Sequence, residues 1–391
     1  MKGLIGLTAL AVIFGCGSAQ AQYSDGTIKI GVMNDMSGTY SDLSGQGSVV
    51  AARMAVEDFG AAAKGMKVEI VSADHQNKPD VGSNVVRTWI DVDKVDVIVD
   101  VPTSSVALAV NEIVRDKNKV FLVSGAAASD LTGAKCTPNT IHWTYDTWAL
   151  ANGTGKAIVK TGGDTWFFLT ANYAFGLALE RDTAAVVVKN GGKVLGQVRH
   201  PFPGTDFSSF LLQAQSSKAK IIGLANAGSD TINSIKQASE FGITRSGQNL
   251  AALLAFITDV NALGLPTAQG LIMTEAWYWD LNDANREFAK KFAPQFKGVH
   301  PTMVHAGVYS AVTHYLKAVV AKMKEMPTDD KLFGKGTVRA DGRKIHPMYL
   351  FEVKTPAESK GPWDYYKLRA TIPAEEAFRP MAEGGCPLVK S

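Results

Sequence analysis

Two apolar runs, residues 95–101 and 120–123, constrain the fold of this chain more than any other feature. Each run is followed by small or hydroxylated residues, and apolar residues recur at helical spacing between the two runs. This pattern predicts strand, turn, helix, strand and turn in succession. Apolar strands that alternate with helices are typical of a parallel sheet buried on both faces, so we expect an α/β fold.

The turns after these two strands are candidates for a binding site, because ligands of such sheets bind beyond the carboxyl ends of the strands. The residues concerned are Thr103 and Ser104 after the first run, and Gly125, Ala126 and Ala127 after the second. Small side chains let a ligand approach the backbone, and free N–H groups at a helix start favour a carboxylate. The alternative is that the hydroxyl groups after the first run only cap the helix that follows.

Length and charge set limits on the class of protein. The chain has 391 residues, of which 46% are hydrophobic, and this is enough for two domains with separate cores. The formal net charge is +3, from 40 basic and 37 acidic residues. This near balance argues against a nucleic-acid-binding protein, and no cluster of Lys and Arg in the sequence contradicts it.

Residues 1–21 have the features of a signal peptide. Lys2 gives a positive start, residues 4–14 are apolar, and Ala-Gln-Ala forms a small-residue cleavage site before Gln22. The apolar stretch is too short for a membrane anchor, and no later segment of the sequence is apolar over the length of a membrane span. We therefore expect a periplasmic protein. The alternative is lipid attachment at Cys16, although Phe14 fits a lipoprotein motif poorly.

Cleavage of this signal peptide would leave two cysteines, Cys136 and Cys386. In an oxidising compartment two such cysteines often pair, so we expect a disulfide between them. The alternative is a pair of buried free thiols.

The second half of the chain repeats the plan of the first. We predict further strands, with helices between them, at residues 164–170, 193–198, 220–224 and 249–256. Ala227 lies just beyond the third of these strands. Residues 139–148 and 270–280 depart from the alternation and contain several aromatic residues, so we interpret them as crossings between two units. Late helices are expected at residues 285–296 and 302–323, and late strands at residues 346–354 and 364–370.

The beginning of the mature chain resembles the leucine/isoleucine/valine-binding family of extracellular solute-binding proteins. The family's first strand and following loop resemble IKIGVMNDMSGTYSDLSGQG, its first helix resembles AARMAVEDFG, and its second strand and acidic turn resemble IVSADHQNKPD. The two family turns that hold the α-carboxylate and α-amino group of an amino acid resemble VPTSS and SGAAASDLT. The resemblance continues through most of the mature chain.

This resemblance implies a type I periplasmic binding protein, in which two doubly wound lobes are joined by crossing strands and hold the ligand in the cleft between them. It implies a first lobe at residues 22–145 and 275–345, a second lobe at residues 146–274 and 346–372, and a C-terminal tail at residues 373–391. The lobes of such a protein close on the ligand by a hinge motion.

Aromatic residues at predicted strand ends and crossings are candidates for the walls of the cleft, since aromatic walls with a few polar groups suit a small ligand. We select Tyr145, Tyr173, Phe175 and Trp277. The alternative is that these residues belong to the ordinary core.

Two positions depart from the family pattern. Ala127 stands where a threonine is common, and Asp259 is the one candidate, slightly out of place, for the acid that answers the ligand's ammonium group. An ammonium group left unpaired in a closed cleft would be costly. The departures therefore favour an organic acid, with an aromatic acid as one candidate, over a plain α-amino acid.

The sequence contains no signature of catalysis. Its seven His form neither an HExxH motif nor a metal-binding spacing with Cys, and G-x-S-x-G and P-loop motifs are absent. We therefore expect no enzyme, no metal and no cofactor. Our interpretation is a monomeric periplasmic receptor of an ABC importer that captures a carboxylate-bearing solute and delivers it to the permease subunits. The alternatives are an extracellular ligand-sensing module and, third, an α/β enzyme.

Overall fold

Alternating strands and helices in the first part of the chain form one parallel sheet in the structure, a computed structural model that describes residues 26–318 and 320–389. The strands are β1 (Ile28–Asn34), β2 (Val68–Asp74), β3 (Val97–Asp100), β4 (Val120–Val123) and β5 (Thr140–His142), and the helices are α1 (Gly45–Phe59), α2 (Pro79–Asp91) and α3 (Ser104–Asp116). The strand order is β2-β1-β3-β4-β5, and all neighbours are parallel. The signal peptide predicted at residues 1–21, with Cys16, lies outside the described residues.

Burial on both faces explains why β3 reads as a continuous apolar run. Val97 and Val99 belong to the hydrophobic cluster that includes Val49 of α1, whereas Ile98 belongs to the cluster that includes Val110 of α3. Successive side chains of a strand point to opposite faces, so each face of the sheet is covered by its own layer of helices.

The second parallel sheet repeats this arrangement. Its strands are β6 (Thr165–Ala171), β7 (Lys193–His200), β8 (Ile221–Ala225) and β9 (Asn249–Ala252), in the order β7-β6-β8-β9. The helices are α4 (Thr147–Leu150), α5 (Lys156–Lys160), α6 (Ala174–Lys189), α7 (Ser208–Ser216), α8 (Ser229–Glu240), α9 (Ile257–Leu263) and α10 (Leu265–Ala268), and a π-helical turn at Ala151–Gly155 joins the first two.

The remaining elements complete the two lobes. They are β10 (Ile272–Glu275), α11 (Asp283–Phe292), α12 (Met303–Lys317), α13 (Val320–Glu325), β11 (Thr328–Asp330), β12 (Gly334–Val338), β13 (Lys344–Ile345), β14 (Met348–Val353), β15 (Tyr366–Ile372) and α14 (Ala374–Ala377). Helices α11 and α12 contact α1, so this return segment joins the first lobe. The antiparallel sheet β10-β14-β15 shares a hydrophobic cluster with β6 and β8 of the second lobe.

Several predicted boundaries were wrong. The strand predicted at residues 249–256 ends at Ala252, because the carboxylate of Asp259 accepts a hydrogen bond from the N–H of Phe256 and fixes the start of α9. The crossing predicted at residues 139–148 begins later, since β5 still pairs with β4. The helix predicted at residues 302–323 is interrupted at Ala318, whose backbone is extended, and β11 to β13 were not predicted.

Segments 143–146, 276–282 and 346–347 cross between the lobes in the described part of the chain. The two-lobe fold with crossing strands is therefore confirmed, whereas the exact lobe boundaries stay a prediction. Cys136 and Cys386 form a disulfide with a Cα–Cα distance of 5.6 Å, which attaches the C-terminal tail to the first lobe. None of the helices in the described residues combines the length and apolar character needed to cross a bilayer.

Candidate functional site

A small cavity lies between the lobes, at the carboxyl ends of both parallel sheets. Its walls come from Tyr40, Leu43, Pro102, Gly125, Ala127 and Tyr145 of the first lobe, and from Tyr173, Phe175, Ala227, Leu254 and Phe256 of the second. A wider groove beside Lys220 and Asn249 lies at the opposite, amino-terminal ends of the strands of the second sheet. Ligands of doubly wound sheets bind at the carboxyl ends, so we place the site in the interlobe cavity.

The floor of the cavity is the turn after β4, where the backbone passes close to its neighbours. A Cβ atom on Gly125 would lie 2.9 Å from the Cα of Pro102, so only glycine fits there without a shift. Ser104 Oγ accepts hydrogen bonds from the N–H groups of Ala127 and Ala128, at 3.3 and 3.2 Å. Two backbone donors thus converge on this hydroxyl next to Ala127, which lines the cavity. Converging N–H groups are an arrangement that suits an anionic group.

The turn after β3 begins at a buried carboxylate, that of Asp100. Asp100 and Val101 have positive φ angles of 78° and 57°, an unusual conformation for these residue types that turns the chain toward Pro102. The carboxylate of Asp100 accepts hydrogen bonds from Ser44 Oγ at 2.9 Å and from Ser48 Oγ at 2.5 Å. Burial raises the pKa of Asp100 to about 6, against the lowering effect of these hydroxyl donors.

Tyrosine side chains form the polar part of the cavity wall. The hydroxyl of Tyr145 donates to the carbonyl of Gly125 at 2.6 Å. The hydroxyls of Tyr40 and Tyr173 are hydrogen-bonded to each other from opposite lobes, and Phe202 stacks on Tyr173 with a centroid distance of 4.1 Å. Burial raises the pKa of all three tyrosines, so they are neutral phenols at physiological pH.

The lobes also meet through their backbones. The N–H of Ser229 donates to the carbonyl of Thr39 at 3.3 Å. Gly228, with a φ of 58°, has no space for a Cβ atom, because that atom would clash with the oxygen of the same carbonyl. The loop after β1 and the start of α8 are therefore in direct contact, and the structure is a closed form.

The cavity wall contains no charged side chain among the residues that line it. Asp259 is buried behind the wall, where its carboxylate accepts from the N–H of Phe256 at 3.0 Å. Burial raises the pKa of Asp259 to about 7 and that of Asp230 also to about 7. Neither carboxyl group lines the cavity, so the wall itself offers no carboxylate to pair with a ligand ammonium group.

Six of the residues selected from the sequence line the cavity, namely Gly125, Ala127, Tyr145, Tyr173, Phe175 and Ala227. Others do not. The hydroxyl of Thr103 donates to Asn77 Oδ1 instead of pointing at the cavity or capping its helix. Ser104 is buried, and its hydroxyl oxygen accepts from the N–H groups of Ala127 and Ala128.

Three further selections also lie outside the wall of the cavity. Ala126 is buried on the far side of its turn, and its carbonyl accepts from His142 Nε2 at 2.7 Å. Asp259 stabilises the start of its own helix. Trp277 packs edge-on against Phe288 in the core, with a centroid distance of 5.8 Å.

Five lining residues were missed: Tyr40, Leu43, Pro102, Leu254 and Phe256. Pro102 stands inside the VPTSS turn that the sequence had already marked, and Tyr40 ends the polar turn after β1. Phe256 occupies the region where an acid was sought. Each of these three lies at the carboxyl end of a strand, which was the available signal.

The structure offers no metal site in the described residues, since no group of three or more His, Cys, Asp or Glu side chains is placed to hold a metal ion.

Comparison with known proteins gives a consistent result. A family model described as periplasmic binding protein matches residues 27–362. A periplasmic binding protein from Burkholderia mallei is 53% identical with a TM-score of 0.91, over 93% of this chain and 100% of that chain. A branched chain amino acid ABC transporter periplasmic ligand-binding protein from Burkholderia xenovorans LB400 is 39% identical with a TM-score of 0.82, over 93% and 100% of the two chains.

More distant relatives differ in the solutes that their names state. The Leu/Ile/Val-binding protein homolog 6 of Brucella melitensis is 25% identical over 274 residues, 69% of this chain and 68% of that protein. A solute-binding protein of an ABC transporter from R. palustris, solved in complex with benzoate, is 23% identical with a TM-score of 0.78, over 89% and 97% of the chains. The similarity to the benzoate-bound protein shows only that the two proteins share a fold.

Proposed function

This chain belongs to the family of periplasmic binding proteins, and from that premise we propose that it captures a small aromatic carboxylate between its lobes for an ABC importer. The proposal includes removal of residues 1–21 on export, a monomeric receptor, and docking of the closed form on the permease subunits. It assigns no catalytic step, metal or cofactor to the protein.

One observation carries the choice of ligand: the cavity combines converging N–H donors with a wall that has no charged side chain. The N–H groups of Ala127 and Ala128 now share the hydroxyl oxygen of Ser104 as acceptor. A ligand carboxylate would be a stronger acceptor for these donors, because hydrogen bonds to a charged group are worth roughly 1.5–3 kcal/mol.

The aromatic residues of the wall support an aromatic ligand body. Tyr145 and Phe256 meet edge to face at a centroid distance of 6.2 Å, and Tyr173 and Phe175 lie 5.9 Å apart. Such rings offer flat apolar surfaces that pack on another ring in offset or edge-to-face geometry. The cavity is small in this closed form, which limits the ligand to a small molecule.

The same wall disfavours the ammonium group of an α-amino acid. The carboxylate of Asp259 is already bonded to the N–H of Phe256 and does not line the cavity. An ammonium group enclosed by phenol and phenyl rings without a carboxylate would lose its hydration with little in return. An aromatic acid avoids this cost, and benzoate is the first probe because a protein of the same fold was solved with it.

Calorimetric titration of the mature protein with benzoate, 4-hydroxybenzoate and leucine tests the proposal. We expect at least one benzoate to bind and leucine to bind at least ~100-fold more weakly, which corresponds to about 2.7 kcal/mol. Binding of leucine with no binding of either benzoate would reject the ligand class. The import role is tested separately by uptake of the labelled ligand in cells with and without the gene.

A further inference from the structure

The hinge of this protein contains a buried arginine that holds the backbone of a ligand-lining residue. The residues next to two of the crossing segments lie side by side, since the N–H of His142 donates to the carbonyl of Gly342 at 2.9 Å. His346 Nε2 donates to the carbonyl of Thr144 at 2.8 Å. The segment after β5 is therefore held along its length by side chains and backbone from residues 342–346.

Arg343 is the centre of these contacts. It is fully buried, its Nη1 donates to the carbonyl of Tyr145 at 3.1 Å, and the same atom lies 3.5 Å from the carboxylate of Asp146. Asp146 in turn accepts from the N–H of Ala149 at 2.8 Å and so caps α4. The guanidinium group of Arg343 is thus connected, through Asp146 at the end of the first crossing, to α4, the first helix of the second lobe.

Tyr145 connects Arg343 to the cavity. Its carbonyl is held by Arg343, while its side chain lines the cavity and its hydroxyl donates to the carbonyl of Gly125 at 2.6 Å. Arg343 does not itself line the cavity. A change in the position of the guanidinium group would therefore move a cavity wall without removing any contact to a ligand.

The C-terminal tail covers this arginine. The ring of Phe378 lies over the guanidinium group, with Cζ at 4.4 Å from the ring centroid, and meets His346 at a centroid distance of 5.2 Å. Stacking on an aromatic face suits guanidinium, which is planar and weakly hydrated. The next residue, Arg379, donates to the carbonyl of Ser129 at 3.1 Å and accepts at its own carbonyl from Arg339 at 2.8 Å.

One end of the C-terminal tail is attached to the second lobe and the other end to the first lobe. It leaves the second lobe at β15, which pairs with β14, and it is attached to the first lobe by the disulfide of Cys386 with Cys136. Phe378 lies between these two attachments and is itself buried. The tail therefore spans the hinge on the side of Arg343.

We propose that Arg343 and Phe378 are positioning residues for the ligand site, in which the anchored tail holds Phe378 against the guanidinium group and the guanidinium group fixes Tyr145 in the wall of the cavity. The inference rests on the proposed function only in that the wall is taken to be a ligand wall. The tail is, on this account, part of the hinge and helps to set the affinity of the cleft.

The test combines hydrogen exchange without ligand and calorimetry with benzoate. The amides of Trp143 and Thr147 are the reporters, because their hydrogen bonds to Val123 and Ala127 flank the segment that Arg343 holds. We expect Phe378→Ala to speed their exchange on the order of tenfold and to weaken benzoate binding several-fold. Phe378→Tyr, which keeps the aromatic face, should restore both values toward those of the parent.

Two comparisons separate a positioning role from general loss of stability. Met381→Ala changes the same tail without touching Arg343 and should leave both measurements unchanged. The amide of Leu224 in β8 reports on global opening, and in Phe378→Ala the exchange at Trp143 and Thr147 should rise by a larger factor than the exchange at Leu224. If Phe378→Ala does not fold, Arg343→Lys, which keeps the charge but loses the fork geometry, is measured instead with the same expectation.

Two results of these measurements would overturn the inference, and a third concerns the ligand alone. Unchanged exchange at Trp143 and Thr147 in the Phe378→Ala protein overturns the inference. Faster exchange with unchanged benzoate affinity also overturns it, because the hinge would then be uncoupled from the cavity. If the parent protein does not bind benzoate, the proposed ligand fails, and the exchange measurement alone decides whether the tail holds the hinge.

Discussion

The hydroxyl groups of Tyr40 and Tyr173 are hydrogen-bonded to each other across the interlobe cavity, so one residue of each lobe closes the space in which we place the ligand. Phe202 stacks on both rings, at centroid distances of 5.5 Å from Tyr40 and 4.1 Å from Tyr173. This small aromatic group belongs to both lobes at once, and it can exist only in the closed form.

Removing one hydroxyl of this pair should favour the open form. Tyr173→Phe keeps the ring and its stacking but loses a hydrogen bond worth about 0.5–1.5 kcal/mol, so ligand affinity should fall roughly twofold to tenfold. Small-angle scattering should show a larger radius of gyration at subsaturating ligand. Tyr349→Phe, in β14 away from the cavity, is the matched control. Equal affinities of the two variants would show that the pair does not stabilise closure.

Filling the floor of the cavity should abolish binding. In Ala127→Leu the larger side chain would enter the space beside the converging N–H groups, so we expect affinity to fall at least ~100-fold in calorimetry, about 2.7 kcal/mol. Ala134→Leu, at an exposed position soon after in the chain, should bind like the parent. Parental affinity of Ala127→Leu would mean that the ligand binds elsewhere.

Stability should fall as the pH rises through the range in which Asp259 titrates. Its pKa is raised by burial to about 7, above roughly 3.9 in an unfolded chain, so the folded state keeps a proton that the unfolded state releases between these values. The free energy of unfolding therefore decreases from about pH 4 to pH 7 by at most a few kcal/mol from this group. Asp230 acts in the same direction, so the slope has more than one source.

Asp259→Asn isolates this contribution, because an amide oxygen can still accept from the N–H of Phe256 but cannot titrate. Denaturant midpoints measured from pH 4 to pH 8 should vary less in this variant than in the parent. Asp329→Asn, at an exposed position, is the control and should keep the parental profile. Identical profiles for Asp259→Asn and the parent would contradict the assignment of the pH dependence.

Loss of the disulfide should lower stability more than loss of a typical contact. Cys136 and Cys386 are separated by 250 residues, and the loop-entropy model gives roughly 4–5 kcal/mol for loops longer than about 100 residues, with measured values often smaller. The double variant Cys136→Ser, Cys386→Ser should therefore unfold at lower denaturant. Titration of two free thiols in the unreduced, unfolded parent would show instead that the bridge does not form.

The parts of the site that the sequence predicted well are those that follow from continuous apolar runs. Burial on both faces makes β3 and β4 such runs, so the end of each run shows where the strand ends, and Gly125 and Ala127 follow β4 directly. Thr103 could not be placed correctly, because its hydroxyl is taken by Asn77, whose proximity depends on the pairing of β1 with β2 and β3.

The part of the cavity wall that comes from the second lobe was harder to predict, because a shift of a few residues in where a strand ends changes which side chain reaches the cavity. The early start of α9 after a short β9 points Phe256 into the cleft and turns Asp259 back to the N–H of Phe256. Trp277 looked like a wall residue because it follows β10, but its ring packs on Phe288 of α11. These choices depend on tertiary contacts that no local pattern encodes.

A crystal structure of the protein with benzoate tests the central claim most directly. We predict that the carboxylate lies within about 3 Å of the N–H groups of Ala127 or Ala128 and that the ring contacts Tyr145 and Phe256. A carboxylate bound away from these N–H groups, or a co-purified amino acid in the cavity with its ammonium group on Asp259, would contradict the account.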